Sequence, residues 1–322
     1  MAGKHEKVTS CGFKTSIGGQ ALIEGILMRG PRKQAIVCRT EDGLTEKVED
    51  LHLLREKYPF FGWPLVRGCV TFIDSMVKGM QALMYSASLV PLEEQGEPDK
   101  IDKWISEHFP AEKAEKLIIY VAVVLGIALS VFLFIFLPTF IVAAIKPLTQ
   151  SYLVRNFAEG LTKVAILLIY MSLVAHMKDI KRLFSYHGAE HKTIFCYEAG
   201  LPLTVENCRK QSRFHPRCGT SFLFVVVVVS ILVSSVVFRF VEWRNLWVRM
   251  GMHLLLLLPV IGVTYEINRY IGGHDNAVTR FVSRPGLWLQ NFTTNEPDDS
   301  MLEVAIRALT LVLPEQEGAD AW

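Results

Sequence analysis

The chain is short of several things that would mark a secreted or nucleotide-driven protein. Its six cysteines (Cys11, Cys38, Cys69, Cys196, Cys208 and Cys218) are scattered over 322 residues and no two form a CxxC pair. A secreted disulfide framework would be denser and would follow a signal peptide. The opening residues, MAGKHEKVTSCGFK, are polar and basic and contain no apolar core of that kind. Reduced thiols on the cytosolic side are therefore expected. Net charge is only +2, so no global field marks a nucleic-acid binder, and nucleic acid is not an expected partner. The glycine-rich stretch SIGGQALIEGILMRGP (16–31) is not followed by the lysine–serine pair of a P-loop, which leaves a structural hairpin as the better reading than a phosphate cradle. Internal repeats and low-complexity tracts are missing too.

Charge is scarce as well. Hydrophobic residues make up 51% and charged residues 20%, too apolar for an average soluble enzyme. The apolar residues collect in four runs, Leu117–Ile145, Leu161–Met177, Thr220–Phe238 and Met250–Ile267. Each approaches or exceeds the roughly 20 residues that cross a bilayer core. The first is long enough to tilt or bend near Pro138. The second spans only if it starts near Phe157, with Glu159 and Lys163 paired one turn apart. The expected fold is an α-helical integral membrane protein with about four transmembrane helices and a small cytosolic N-terminal α+β segment.

Basic residues orient it. Sixteen lie in residues 1–116 and eight in 178–219, whereas the other two connections hold only Lys146 and Arg155, and Arg239, Arg244 and Arg249. The positive-inside rule puts the N-terminus, the 178–219 loop and the C-terminus in the cytoplasm. The expected organisation is a β-containing segment (1–58), an amphipathic region with a polar linker at 93–100 (59–116), the four-span region (117–267) and a cytosolic C-terminal segment (268–322). Within the first, QALIEGILMRG, QAIVCRT and GLTEKVED read as strands punctuated at Gly30-Pro31 and Asp42-Gly43. Glu24 and Arg29 then fall on opposite faces of one strand. Residues 60–92 read as an amphipathic helix lying on the membrane surface or packed on the bundle.

The stretch HGAEHK places His187, Glu190 and His191 on one helical face. This is the H-x-x-E-H arrangement in which two imidazoles hold zinc and the glutamate is general base. A solvated helix face is the bland alternative. By topology, His215 and Cys218 in HPRCG and Glu266 at the end of the fourth run reach the same membrane face, so each is a candidate third or fourth ligand. Cys218 as a small buried hydrophobe and Glu266 as a partner of Arg269 are the competing readings. Glu198 lies about 16 Å along the helix from His187 and is expected to stand apart. His253 is expected on the outer half of its span, hydrogen-bonded to a neighbouring helix, and His274 stays open as a ligand.

The blocks SIGGQALIEGILMRGP, YHGAEHKTIFCYEAG, HPRCGTSF, LPVIGVTYEINR and TTNEPDDSMLEVAIRAL, spread over residues 11–312, resemble the YqhQ-like family of bacterial membrane proteins. That resemblance implies a bacterial inner-membrane protein with a metal on His187, Glu190 and His191. It supplies no substrate and no established reaction. Two functions are then expected to compete. One is a metal-dependent membrane enzyme, a hydrolase using a divalent ion such as zinc, with Glu190 catalytic and His187, His191, His215, Cys218 and Glu266 as candidate ligands. The other is a scaffold or regulatory membrane protein with a structural ion. Beyond the lipid bilayer, the substrate or protein partner is not specified. Transport is a weaker third reading, because four spans are few and none is expected to carry paired buried charges.

Overall fold

The computed structural model describes residues 13–52, 54–90, 104, 111–144, 151–240, 246–316 and 318–322. The expected linker at 93–100 lies outside the described residues. Near the N-terminus, β1 (Gly18–Leu22), β2 (Gly25–Arg29), β3 (Lys33–Thr40) and β4 (Gly43–Asp50) form an antiparallel meander in chain order. The chain reverses after Gly30-Pro31 and at Asp42-Gly43 as expected, with Gly43 at φ 122°.

The hairpin favoured for the glycine-rich stretch is present, but it lies within QALIEGILMRG itself, read above as a strand. Strands β1 and β2 pair with Leu22 opposite Gly25 and Ile23-Glu24 as the turn, and β2 is buried on both faces. Glu24 sits at φ 50°, a left-handed conformation uncommon for a residue with a side chain. Tertiary contacts hold it there. Its carbonyl accepts the Arg39 N–H at 2.7 Å, and its carboxylate accepts from the Arg182 guanidinium and from the Tyr186 hydroxyl at 3.1 Å. Arg29, freed of any shared-strand constraint, pairs with Asp74 at 2.6 Å.

Alternation along β2 and β3 gives the sheet two apolar faces. Leu22, Leu27, Ile36 and Cys38 pack on Ala82 of α1 (Val66–Ser88), the amphipathic helix expected from the sequence. Ile26, Met28, Ala35 and Val37 face α5 (Lys178–Glu198) and α10 (Asp299–Val312), burying Tyr186, Ala189, Leu302, Ala305 and Leu309 with them. N- and C-terminal parts of the chain therefore share one core. The termini are also tied directly: Ser16 N–H donates to the Asp320 carbonyl at 2.6 Å and Trp322 N–H to the Lys14 carbonyl at 2.9 Å.

Besides a helical turn at Leu54–Lys57 and a 3-10 turn at Pro59–Gly62, the other helices are α2 (Ala111–Val131), α3 (Leu137–Ala144), α4 (Tyr152–Val174), α6 (Val205–Arg209), α7 (Gly219–Val237), α8 (Leu246–Gly273) and α9 (Ala277–Thr293). Among the described residues, four helical stretches are long and apolar enough to cross a membrane: Tyr120–Ala144, Val154–Val174, Gly219–Val237 and Trp247–Gly273. They match the four expected runs, and the second does begin before Phe157. Between α2 and α3 the helix opens into a π turn at Phe132–Phe136. Pro138 follows immediately, and its missing N–H removes one rung of the ladder there.

These helices carry more charge inside than the sequence suggested. Glu159 lies 3.0 Å from Lys163, 2.5 Å from Arg249 and 2.7 Å from His253, all under 10% exposed. Arg249 also donates to Asn156 at 2.9 Å. The pairing of Glu159 with Lys163 and the contact of His253 with a neighbouring helix agree with expectation. The ion pair between α4 and α8 does not, because Arg249 lies inside α8 and not in the connection before it. Paired buried charges therefore exist in these helices, contrary to expectation. Truncating Glu159 leaves Lys163, Arg249 and His253 buried without the carboxylate they share. Glu159→Ala should cost about 3–5 kcal/mol in detergent unfolding, and combining it with Arg249→Met should cost clearly less than the sum of the two.

Candidate functional site

Helix α5 is amphipathic in an unusual sense, since its polar residues at 190–193 are buried rather than wet. His187 and His191, one turn apart, bring their rings to 4.4 Å between centroids. Opposite them stands Cys218, the N-cap of α7. Imidazole nitrogens of both histidines and the Cys218 sulfur all lie within 4.8 Å of one another.

What orients the rings is backbone. His187 Nδ1 lies 2.8 Å from the Thr293 carbonyl oxygen at the end of α9, and His191 Nδ1 lies 2.6 Å from the Arg213 carbonyl oxygen. A carbonyl can only accept, so each Nδ1 carries the proton. In the neutral rings each Nε2 is then a free lone pair, the arrangement that prepares a histidine to ligate metal. His187 Nε2 lies 3.1 Å from Cys218 Sγ. The loop that supplies the Thr293 carbonyl approaches α5 at Gly188, where a Cβ would stand 2.1 Å from the Asn295 carbonyl oxygen.

Glu190, on the same face, is 5% exposed. Its Oε1 accepts the Gly19 N–H of β1 at 2.8 Å. Its Oε2 is buried with no hydrogen-bond partner, an orphan that normally calls for an explanation. Burial pushes the Glu190 carboxyl up, against the opposing charges of His187 and His191. At Cys218 burial also opposes ionisation, but His187 and His191 outweigh it and hold the thiol well below its ordinary range. Burial disfavours the His187 cation, yet the Cys218 sulfur and Glu190 bring it up to about 9. Two imidazoles and a thiolate form a donor set suited to zinc, and the orphan carboxylate oxygen beside them fits the same reading.

Of the other predicted ligands, His215 and Glu266 are not in this group. His215 is adjacent, its ring 5.4 Å from that of His191 and 4.6 Å from that of Phe195. Its Nε2 faces Arg217 at 3.2 Å and Glu198 at 3.8 Å, while Gln290 clamps its backbone through two bonds of 2.7 Å. Glu266 is replaced as a candidate by a different role. Arg67 takes its carboxylate in a two-pronged pair, with one contact at 2.7 Å, instead of the Arg269 partner weighed from sequence. His274 stacks on Tyr270 with its Nδ1 2.9 Å from the Tyr270 carbonyl, on the surface. Sequence reasoning missed Gly19, Arg213, Gln290 and Thr293. Three of these act through peptide groups that every residue has, so no side-chain signal pointed to them.

Glu198 stands apart from the three-residue group, as the axial distance required, and anchors a second buried network. It accepts from the Arg217 guanidinium and from the Thr15 N–H at 2.8 Å. Thr15 in turn bonds Asp320 at 2.5 Å. Burial alone would raise the Glu198 carboxyl, but bonds from His215 and Arg217 hold it down at about 2. A depressed carboxyl stabilises the fold fully above its ordinary value of 4.5, and that contribution is lost as pH falls toward 2. Glu198→Gln should therefore lower stability at neutral pH by about 3 kcal/mol or more, since Arg217 stays buried. It should also flatten the acid loss in that pH window, as followed by unfolding in detergent across a pH series.

Comparison with known proteins adds an identity without adding a reaction. Residues 63–315 match the family described as a protein of unknown function, DUF1385, a stretch that holds every residue of the site except Gly19. The chain is 32% identical over 303 residues to the uncharacterized protein YqhQ of Bacillus subtilis (strain 168), covering 92% of each chain. No solved structure matches. The YqhQ-like resemblance of the sequence motifs is thereby confirmed, and the chain belongs to the DUF1385 family of proteins of unknown function.

Proposed function

We propose that the chain is a metal-dependent hydrolase of the bacterial cytoplasmic membrane, with both termini in the cytoplasm. His187, His191 and Cys218 would hold a divalent ion, zinc by the chemistry of its donors, and Glu190 would move the proton. One observation carries this reading: three ligand atoms lie within 4.8 Å of one another, and Glu190, electrostatically coupled to all three residues, has a buried carboxylate oxygen without a partner. The placement in the membrane is supported by four helices of spanning length and by the basic residues concentrated in 1–116 and 178–219.

A bound divalent ion supplies Lewis acidity toward an oxygen nucleophile or a polarised substrate oxygen. The residues supply the rest. The Thr293 and Arg213 carbonyls keep both Nε2 atoms turned inward. The Gly19 N–H holds one oxygen of Glu190 and so aims the other. Burial raises that carboxyl, bringing its basicity closer to that of a proton acceptor working near neutral pH. Three protein ligands leave a position for substrate, as in catalytic rather than structural sites. Amides, esters and phosphoesters are all within the reach of this chemistry. A structural ion is the second reading, favoured by His215 beside His191: a turn of that ring away from Glu198 would supply a fourth ligand and close the site.

Glu190→Gln separates the two. The amide keeps the size of the side chain but cannot take a proton. A catalytic site should keep its metal and fold in this variant yet lose cellular function, by about 10²–10⁴-fold in rate. The measurement is complementation of a deletion strain together with metal content of purified protein, with His191→Ala and Cys218→Ser as ligand controls that should both lose metal. Full complementation by Glu190→Gln would sink the hydrolase reading.

A further inference from the structure

The segment before α1, Tyr58-Pro-Phe-Phe-Gly-Trp-Pro-Leu65, holds four aromatic residues and no charge. Buried apolar residues would explain such a run, but these are not buried. Tyr58 is 50% exposed, Phe60 52%, Trp63 61% and Leu65 46%. The aromatic rings touch one another instead, with Phe60 at 5.3 Å from Trp63 and Tyr58 at 5.9 Å from Phe61. An apolar tip this exposed has a partner other than water.

Its position says which. Its last residue, Leu65, and the first turn of α1 are held against α8 within the stretch of spanning length. Leu65 sits at φ 68° with its N–H toward Glu266 at 3.3 Å. A Cβ on Gly262 would lie 2.8 Å from the Leu65 carbonyl oxygen, and a Cβ on Gly68 would lie 2.7 Å from the Tyr265 side chain. Cys69 Sγ donates to the Leu258 carbonyl at 3.2 Å. From Glu266 back to Leu258 is about 12 Å along the helix axis. Phe72, farther along α1, stacks on Phe222, in the first turn of α7. At its far end α1 meets the sheet, where Gly79 abuts Gln20. Its first turns therefore lie beside the cytosolic half of the fourth apolar helix, between Leu258 and Glu266, and the aromatic tip enters this contact at Leu65. Arg67, one residue inside the helix, stays within reach of Glu266, which is the paired arrangement a charge requires at that depth.

We propose that Tyr58–Leu65 is a re-entrant wedge seated among the acyl chains of the cytosolic leaflet, with lipid as its occupant. This rests on the membrane placement proposed above. Non-α-helical backbone is tolerated at membrane depth when it packs on protein; here a 3-10 turn, Pro59–Gly62, leads to Leu65, which packs on α8, while the aromatic side chains stay exposed. The wedge would tether the sheet, and with it the Gly19 contact to Glu190, to the bilayer.

The test uses the full chain with Trp63 as its only tryptophan, the others replaced by phenylalanine, reconstituted in phosphatidylcholine–phosphatidylglycerol vesicles. With acyl chains brominated at mid-length, Trp63 emission should lose most of its intensity relative to unbrominated vesicles, while aqueous acrylamide quenches little. Strong acrylamide quenching without bromolipid quenching would overturn the wedge and put the tip in water. Protection from both quenchers would also overturn it, because a second copy or the chain itself would then cover the tip. A reporter moved to position 60 (Phe60→Trp with Trp63→Phe) gives the same reading should the first variant fold poorly. Extraction of the unmodified protein from membranes by alkaline carbonate would instead defeat the membrane placement itself, an outcome separate from either quenching result.

Discussion

At Gly188 there is no room for a side chain: a Cβ would stand 2.1 Å from the Asn295 carbonyl oxygen. That close approach is the constraint on which the site depends. It lets the segment after α9 lie against α5, and so brings the Thr293 carbonyl to His187. The same segment bonds back to α5 through Asn295, whose N–H donates to the Phe184 carbonyl at 2.9 Å, and reaches Lys192 through Glu296 at 2.9 Å. Helix α9 in turn holds the HPRCG loop through Gln290, and that loop delivers Cys218. The orientation of His187 and the position of Cys218 thus trace to one helix and the turn that follows it.

Around this centre the polar groups separate into networks with different tasks. In the His187–His191–Cys218 group His191 is buried and the other two are half-buried, and its carboxylate Glu190 is only half satisfied. Such incomplete satisfaction is costly in a purely structural network and is expected where a proton must move. The neighbouring Glu198–Arg217 network binds the two ends of the chain together through Thr15 and Asp320. The third, around Glu159, joins α4 to α8. Each buries charge, and each does so across elements far apart in sequence.

The glycine-rich stretch near the N-terminus finds its role here without any phosphate. Gly19 offers a peptide N–H to Glu190, and Glu24, at the hairpin turn, takes Arg182 and Tyr186 of α5. The hairpin is a brace for the helix that carries the histidines. Glu266 is likewise reassigned, from metal ligand to anchor of the α1 tip, because Arg67 reaches it first.

By itself the sequence determined the four apolar helices, the helical face shared by His187, Glu190 and His191, and the meander turns at Gly30-Pro31 and Asp42-Gly43. All of these are local: hydrophobic run length, helical period and turn chemistry act over neighbouring residues. HPRCG could be placed near the histidines only by topology, and topology could not choose between His215 and Cys218. That choice lay in side-chain direction, set by Gln290 and Arg217 from distant parts of the chain. The β1–β2 turn at Glu24, the Arg249–Glu159 pair and the two carbonyls that orient the imidazoles were likewise decided only in the tertiary structure. A peptide carbonyl has no sequence signature, and a buried ion pair between helices more than 80 residues apart leaves no periodicity to read.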